Sequence, residues 1–156
     1  MNEKIVIEYI IKSFLLKFNI NLNVVYGDTE FCYVDETETI YVCNMVDDET
    51  DKIFEKVCLE LGLENNCPLF ILSILHEVGH YVDFNITHQS SVDDFDLLET
   101  FVALTGLLRV PTDDDVYTYM TSYREKVATQ WAVDFANEHY EECIDLWNKI
   151  VKILKG

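Results

Sequence analysis

The chain has 156 residues, 29 of them acidic and 11 basic, for a formal net charge of −18. So few cations exclude direct nucleic-acid binding, which depends on neutralising phosphates, and equally disfavour anionic membrane surfaces. Apolar residues make up 49% of the chain, enough for a packed core, and no run reaches the length of a membrane span.

A chain of this length fits one domain over residues 1–156 and can bury roughly two thirds of its extended surface. Five Gly and two Pro leave no room for a linker or a low-complexity stretch. The start, Met1-Asn2-Glu3-Lys4, lacks the basic stretch and apolar run of a signal peptide. A cytoplasmic location is therefore expected, with Cys32, Cys43, Cys58, Cys67 and Cys143 reduced and mostly acting as small core hydrophobes.

Taken in order, Ile7, Ile10, Ile11, Phe14, Leu15 and Phe18 recur at helix spacing and predict a helix over Glu3–Phe18. Leu22–Tyr26 is a short β-like run closed by Gly27-Asp28. Phe31–Val34 and Thr39–Cys43 flank the polar turn Asp35–Glu38 and predict a hairpin. Asp47-Asp48-Glu49 opens a helix to about Leu61, its acids favoured by the helix dipole. Gly62–Asn66 reads as a loop, and Pro68 suits the start of a helix over Leu69–Phe84. Ser91–Asp94 resembles a capping box before a helix over Phe95–Leu108, which Pro111 ends. Thr112–Asp115 caps another short helix. From Tyr123 the pattern is helical nearly to the end, through Trp131, Phe135, Trp147, Ile150 and Leu154. The order predicts an α+β fold: an N-terminal helix, a small antiparallel sheet with a hairpin, then a mostly helical C-terminal half.

Chemistry concentrates in Leu72–Val82, which contains His76-Glu77-Val78-Gly79-His80. Residues i and i+4 share a helix face, so both imidazoles can point at one ion. Glu77 lies about 100° round the helix, within reach of a water beside that ion. Zinc suits this set: it accepts nitrogen ligands, keeps one position open and acidifies water, whose proton Glu77 can take. No charged residue occurs from Asn65 to Leu75, and two of the four histidines lie in the motif. Both facts favour an apolar helix bearing a deliberate site over two incidental histidines.

With this motif, the chain resembles the gluzincin-type zinc metallopeptidases, and more closely the ImmA/IrrE-like family of mobile elements, phages and bacterial regulators. Two stretches carry the resemblance: His76–Tyr81, and Tyr123–Ala136, where Glu125 is followed by Ala128, Trp131 and Ala132 in an E-x-x-A-x-x-[FW]-A pattern. Together they cover about an eighth of the chain. The resemblance implies a minimal zincin-like domain whose motif helix packs on a long helix bearing Glu125, the third zinc ligand. A carboxylate there fits the His₂Glu type of catalytic site. Ala128 and Ala132 would allow close helix approach, and Thr129 could support a ligating imidazole. Glu99, nineteen residues after His80, is the competing ligand, followed by Asp83, Asp96 and Asp134.

An oxyanion stabiliser is also needed. His88 and Tyr123 are the chemical candidates, with Tyr81 beside them; His139 would stand about 21 Å beyond Glu125 on a straight helix. In zincin folds an edge strand beside the active-site helix takes substrate in extended form. Thr39–Cys43, with Ile40, Tyr41 and Val42 at its centre, is the candidate strand for such β-augmentation. Asp93-Asp94-x-Asp96 and Asp113-Asp114-Asp115 lack the spacing and Gly of a calcium loop and read as helix caps.

The function expected from these residues is a zinc-dependent metalloendopeptidase. The resemblance implies a regulatory protease with a narrow protein substrate such as a repressor, and the acidic surface suggests a basic one, such as a DNA-binding regulator. The alternative is a non-catalytic acidic domain that binds a basic partner, with zinc structural or absent.

Overall fold

The computed structural model describes residues 2–27, 31–43, 48–90 and 112–156, with residues 48–50 described by backbone alone. The helix expected over Phe95–Leu108, the Ser91–Asp94 box, and the ligand candidates Asp96 and Glu99 lie outside the described residues.

Helix α1 spans Glu3–Leu16 and buries Ile7, Ile11, Phe14 and Leu15 along one face. Asn2 caps it by accepting the Lys4 N–H at 2.9 Å. At its other end Asn19 takes a left-handed conformation (φ 61°). The Ile20 N–H then reaches back to the Leu15 carbonyl, so carbonyls that the helix would leave orphaned are satisfied.

Three strands follow: β1 (Asn23–Gly27), β2 (Cys32–Val34) and β3 (Thr39–Cys43). The hairpin forms as expected, β2 pairing antiparallel with β3 through a 3₁₀ turn at Asp35–Thr37. The sheet itself is mixed, because β1 pairs parallel with β3, Val24 opposite Ile40. Strand order is β1-β3-β2, so β3 is the middle strand. This corrects the expectation of a wholly antiparallel sheet. A strand followed directly by a hairpin can return to either side, and packing decides. Here α1 lies against β1, and the Glu8 carboxylate accepts the outward Tyr26 N–H at 3.0 Å.

Helix α2 (Asp48–Glu60) ends at Gly62, whose φ of 98° is open to glycine and strained for other residues. Its loop is tied to a distant helix by side-chain amides: Asn137 accepts the Glu64 N–H and donates to the Gly62 carbonyl, both at 2.9 Å. Helix α3 (Leu69–Val82) follows Pro68 and runs into a π-helical turn at Asp83–Thr87. Helix α4 (Asp113–Met120) carries the expected capping box between Thr112 and Asp115.

The long C-terminal helix is two helices, α5 (Tyr123–Glu138) and α6 (Tyr140–Leu154). The break falls at His139 (φ −121°, ψ 40°), without Gly or Pro to announce it. The imidazole packs 4.7 Å from both the Phe18 and Phe135 rings, centroid to centroid, so α1 and α5 hold the turn between them. Helix α3 is the centre of the arrangement, against β2 and β3 on one side and α5 on another.

Candidate metal centre

The site is built on the α3–α5 seam. Helix α3 is apolar almost all round and buries Ile71, Leu72, Ile74, Leu75 and Val78 completely. Such a helix must be enclosed by other elements. His76 and His80 stand one turn apart on it, and Glu125 is in the first turn of α5, where the helix dipole favours an anion. Gly79 brings the two helices together. A Cβ built there would collide with the Ala128 carbonyl oxygen and stand 2.9 Å from the Ala128 Cα. Ala128 and Ala132, both fully buried, continue the small-residue contact.

The approach places three donors in one spot. His76 Nε2 lies 3.2 Å from Glu125 Oε1, and His80 Nε2 lies 3.0 Å from Glu125 Oε2. The ligand atoms of the three residues all fall within 4.8 Å of one another. His76 Nδ1 is 2.8 Å from the Thr129 hydroxyl, which fixes the ring and turns Nε2 towards the shared point. Phe54 of α2 stands edge-on to the His76 ring at 5.8 Å. Phe84 lies 5.9 Å from the His80 ring and is itself covered by the Arg124 guanidinium at 3.5 Å.

This donor set fits a metal ion. Tetrahedral zinc with bonds of 2.0–2.1 Å has ligand–ligand edges of about 3.3 Å, close to both imidazole–carboxylate separations. Among the described residues, Glu125 Oε2 is buried and lacks hydrogen-bond geometry to any donor, although His80 Nε2 is near. Buried carboxylate oxygens are ordinarily satisfied, and a cation at the shared point would satisfy this one. His76, His80 and Glu125 can therefore hold a metal ion.

Without metal, the same groups form a buried ion pair. Burial alone would lower the His76 pKa, but the Glu125 hydrogen bond and charge, helped by Glu77, raise it above its ordinary 6.5. Burial alone would raise Glu125, but the His76 and His80 imidazoles beside it hold it well below the usual carboxylate range.

Of the expected site residues, the structure brings together His76, His80 and Glu125, with Glu77 buried beside them. It places the others elsewhere. Tyr123 is 52% exposed, since two residues along a helix put it about 200° round from Glu125. His88 is exposed and left-handed (φ 50°), in a turn that Asp83 closes by accepting the Gln89 and Ser90 N–H groups at 2.9 Å. That duty also removes Asp83 as a ligand. Asp134 is exposed and accepts from Gln130. Asp115 serves the α4 cap, as expected of the acidic run Asp113–Asp115.

The expected substrate strand needs correction. Thr39–Cys43 is the central strand, bonded on both sides, and Ile40 and Val42 are core residues. Its backbone is taken by β1 and β2, so it cannot accept a further strand. Next to α3 the sheet ends at β2, whose Tyr33 ring lies 6.1 Å from that of Tyr81. Reading the sequence missed Phe54 and Phe84; the close approach expected from Ala128 and Ala132 is found at Ala128, with Gly79 as the partner that the sequence did not name.

The fold and site define an α+β protein with a candidate metal centre of two histidines and a glutamate. Comparison with family models, curated proteins and solved structures finds no match for this chain. No helix of the described residues is long and apolar enough to cross a membrane.

Proposed function

We propose that the protein is a zinc metallopeptidase that cleaves a narrow set of protein substrates. The observation that carries this reading is the convergence of both motif imidazoles and Glu125 within 4.8 Å, with Glu77 buried one position from His76. A structural metal site has no use for a buried base at that position. Zinc, when bound, supplies Lewis acidity that polarises a carbonyl and acidifies water. Glu77 takes a proton from the attacking water and later returns it to the leaving amine nitrogen. Thr129 holds His76 in the tautomer that leaves Nε2 available, and Phe54 and Phe84 limit water around the imidazoles. An extended peptide would pair with β2, which among the described residues is bonded on one side only.

The charge of −18 supports a substrate with a basic face, such as a DNA-binding regulator. Screening the attraction should raise KM with salt and leave kcat nearly unchanged.

The test combines metal content with cleavage. Protein purified without added metal should carry about one zinc per chain, lost in His76→Ala and Glu125→Gln. Glu77→Gln should keep the zinc and lose cleavage of a proteome-derived peptide mixture read by mass spectrometry. Zinc retained without cleavage by the wild type would favour the non-catalytic acidic binding domain. Absence of zinc, even after reconstitution, would end both metal readings.

A further inference from the structure

Among the described residues, α1 and α6 leave an open groove of about 550 Å³ between them. Its floor is apolar: Phe14 and Leu146 are buried, and Ile10 is half-buried beside them. Its α6 wall is acidic. Glu141, Glu142 and Asp145 stand exposed there, within about 100° of one another round the helix. Lys149 lines the same wall, but Asp145 holds its ammonium at 2.9 Å. The α1 lip carries Tyr9, which is 72% exposed, and Ile5, 60% exposed, stands one turn before it on the same face. Lys17, at the C-cap of α1, adds a cation on that side. Every charged lining group is at the exposed rim, so nothing on the floor would orient a small polar ligand.

We propose that this groove docks an amphipathic helix of a partner protein, with Lys or Arg along one flank of its apolar face. Apolar anchors at i, i+3 or i+4, and i+7 of that helix rest on Ile10, Phe14 and Leu146. Tyr9 closes over them from the α1 lip, a residue type that often dominates such contacts. The basic flank faces the α6 wall, and the wall sets its sign. With Lys149 taken by Asp145, Glu141 and Glu142 remain to be matched, and Glu142 has only the His139 imidazole near it, at 3.8 Å among the described residues. A second copy of this chain is a poor occupant, because two net charges of −18 repel each other, and an anionic bilayer is a poor one for the same reason. No residue of the metal centre lines the groove, so the inference stands whether or not that centre cleaves peptides.

The test titrates the full chain into a fluorescently labelled peptide of about four helical turns, Leu on one face and Lys on its flanks, and reads anisotropy. A peptide of the same composition in scrambled order is the control. Saturable one-to-one binding is expected, at least tenfold weaker for the scrambled peptide. Tyr9→Ala and Glu142→Lys should each weaken it about tenfold. Glu36→Lys makes the same charge change on the exposed 3₁₀ turn, outside the groove, and should weaken it less than about twofold. Hydrogen exchange of the wild-type chain should show added protection in α1 and α6 when the peptide is present. Absence of saturable binding, equal binding of the scrambled peptide, or an equal loss in Glu36→Lys would each overturn the proposal. So would protection confined to other elements, or a free-chain dimer in sedimentation that Tyr9→Ala dissociates. The wild-type exchange map decides the matter even where a variant folds poorly.

Discussion

Helix α5 meets its neighbours in two opposite ways. Against α3 it presents Ala128 to Gly79, backbone nearly on backbone, and buries two imidazoles and a carboxylate there. At its other end it presents Phe135 to Phe14, Phe18 and His139, a corner filled by rings at centroid distances of 4.7–6.1 Å. One end of the helix is close because side chains are nearly absent, the other because they are large. The first arrangement is weak as packing, since small residues bury little apolar area. It is what three short ligand side chains need if they are to meet at one point. The second supplies cohesion and asks for no polar partner. A site of this kind is held by the corner that has no chemistry.

The comparison can be broken from either end. The largest effect is expected at the corner: Phe135→Ala should cost about 3–4 kcal/mol of stability while leaving metal stoichiometry unchanged. Urea unfolding with chelator, beside metal analysis of the folded variant, measures both. Loss of metal with little loss of stability would reverse the roles assigned to the two ends. Next is Gly79→Ala, which adds one methyl group to the seam. It should destabilise by about 2–3 kcal/mol and weaken zinc binding more than tenfold, because the helices must part. A neutral Gly79→Ala in both measurements would mean that the close approach is not needed.

Thr129→Val keeps the shape at the seam and removes the hydroxyl facing His76 Nδ1. Zinc affinity should fall about 10–100-fold, with stability reduced by about 1 kcal/mol. Competition with a chromogenic chelator reads the first and urea midpoints the second.

The smallest effect is one of pH on the metal-free protein. Glu125 is held below its ordinary 4.5, so its contribution is present above pH 4.5 and fades as pH falls through its folded value. His76 is raised above its ordinary 6.5, so its contribution is complete below pH 6.5 and is lost as pH rises through the raised value. Metal-free stability should therefore be greatest between pH 4.5 and 6.5. Zinc should reverse the upper limb, since it competes with the proton on His76. Urea midpoints from pH 4 to 9, with chelator and with zinc, compare the two limbs. A metal-free midpoint that kept rising above pH 6.5 would contradict the ion pair.

Much of the metal centre was legible because it depends on short-range spacing. His76 and His80 share a face by helix geometry alone, whereas Glu125 was implied by the family resemblance, with Glu99 as its competitor. What joins them was legible on one side only, where Ala128 and Ala132 announce a close approach but not its partner. Gly79 matters only because the Ala128 backbone faces it, and nothing in the sequence of α3 announces that neighbour. The strand order failed to read for a related reason. The hairpin is local, but the parallel pairing of β1 with β3 depends on which edge α1 covers. The break at His139 is hidden too, because rings from Phe18 and Phe135 fix it and no turn residue does. Tyr123 and His88 were chosen for their chemistry, and helix phase and a left-handed turn put them at the surface.

The Glu8 carboxylate on the Tyr26 N–H reaches beyond the fold of one chain. A small sheet with bare edges invites the strand of a neighbouring molecule, and growth by such pairing ends in insoluble fibres. On the β1 side, an acid from α1 occupies the donor that an incoming carbonyl would seek, and it brings a negative charge to the seam. Glu8→Ala would then be expected to fold and yet to precipitate sooner at high concentration. Among the described residues, a side chain lent by the first helix stands guard at that edge.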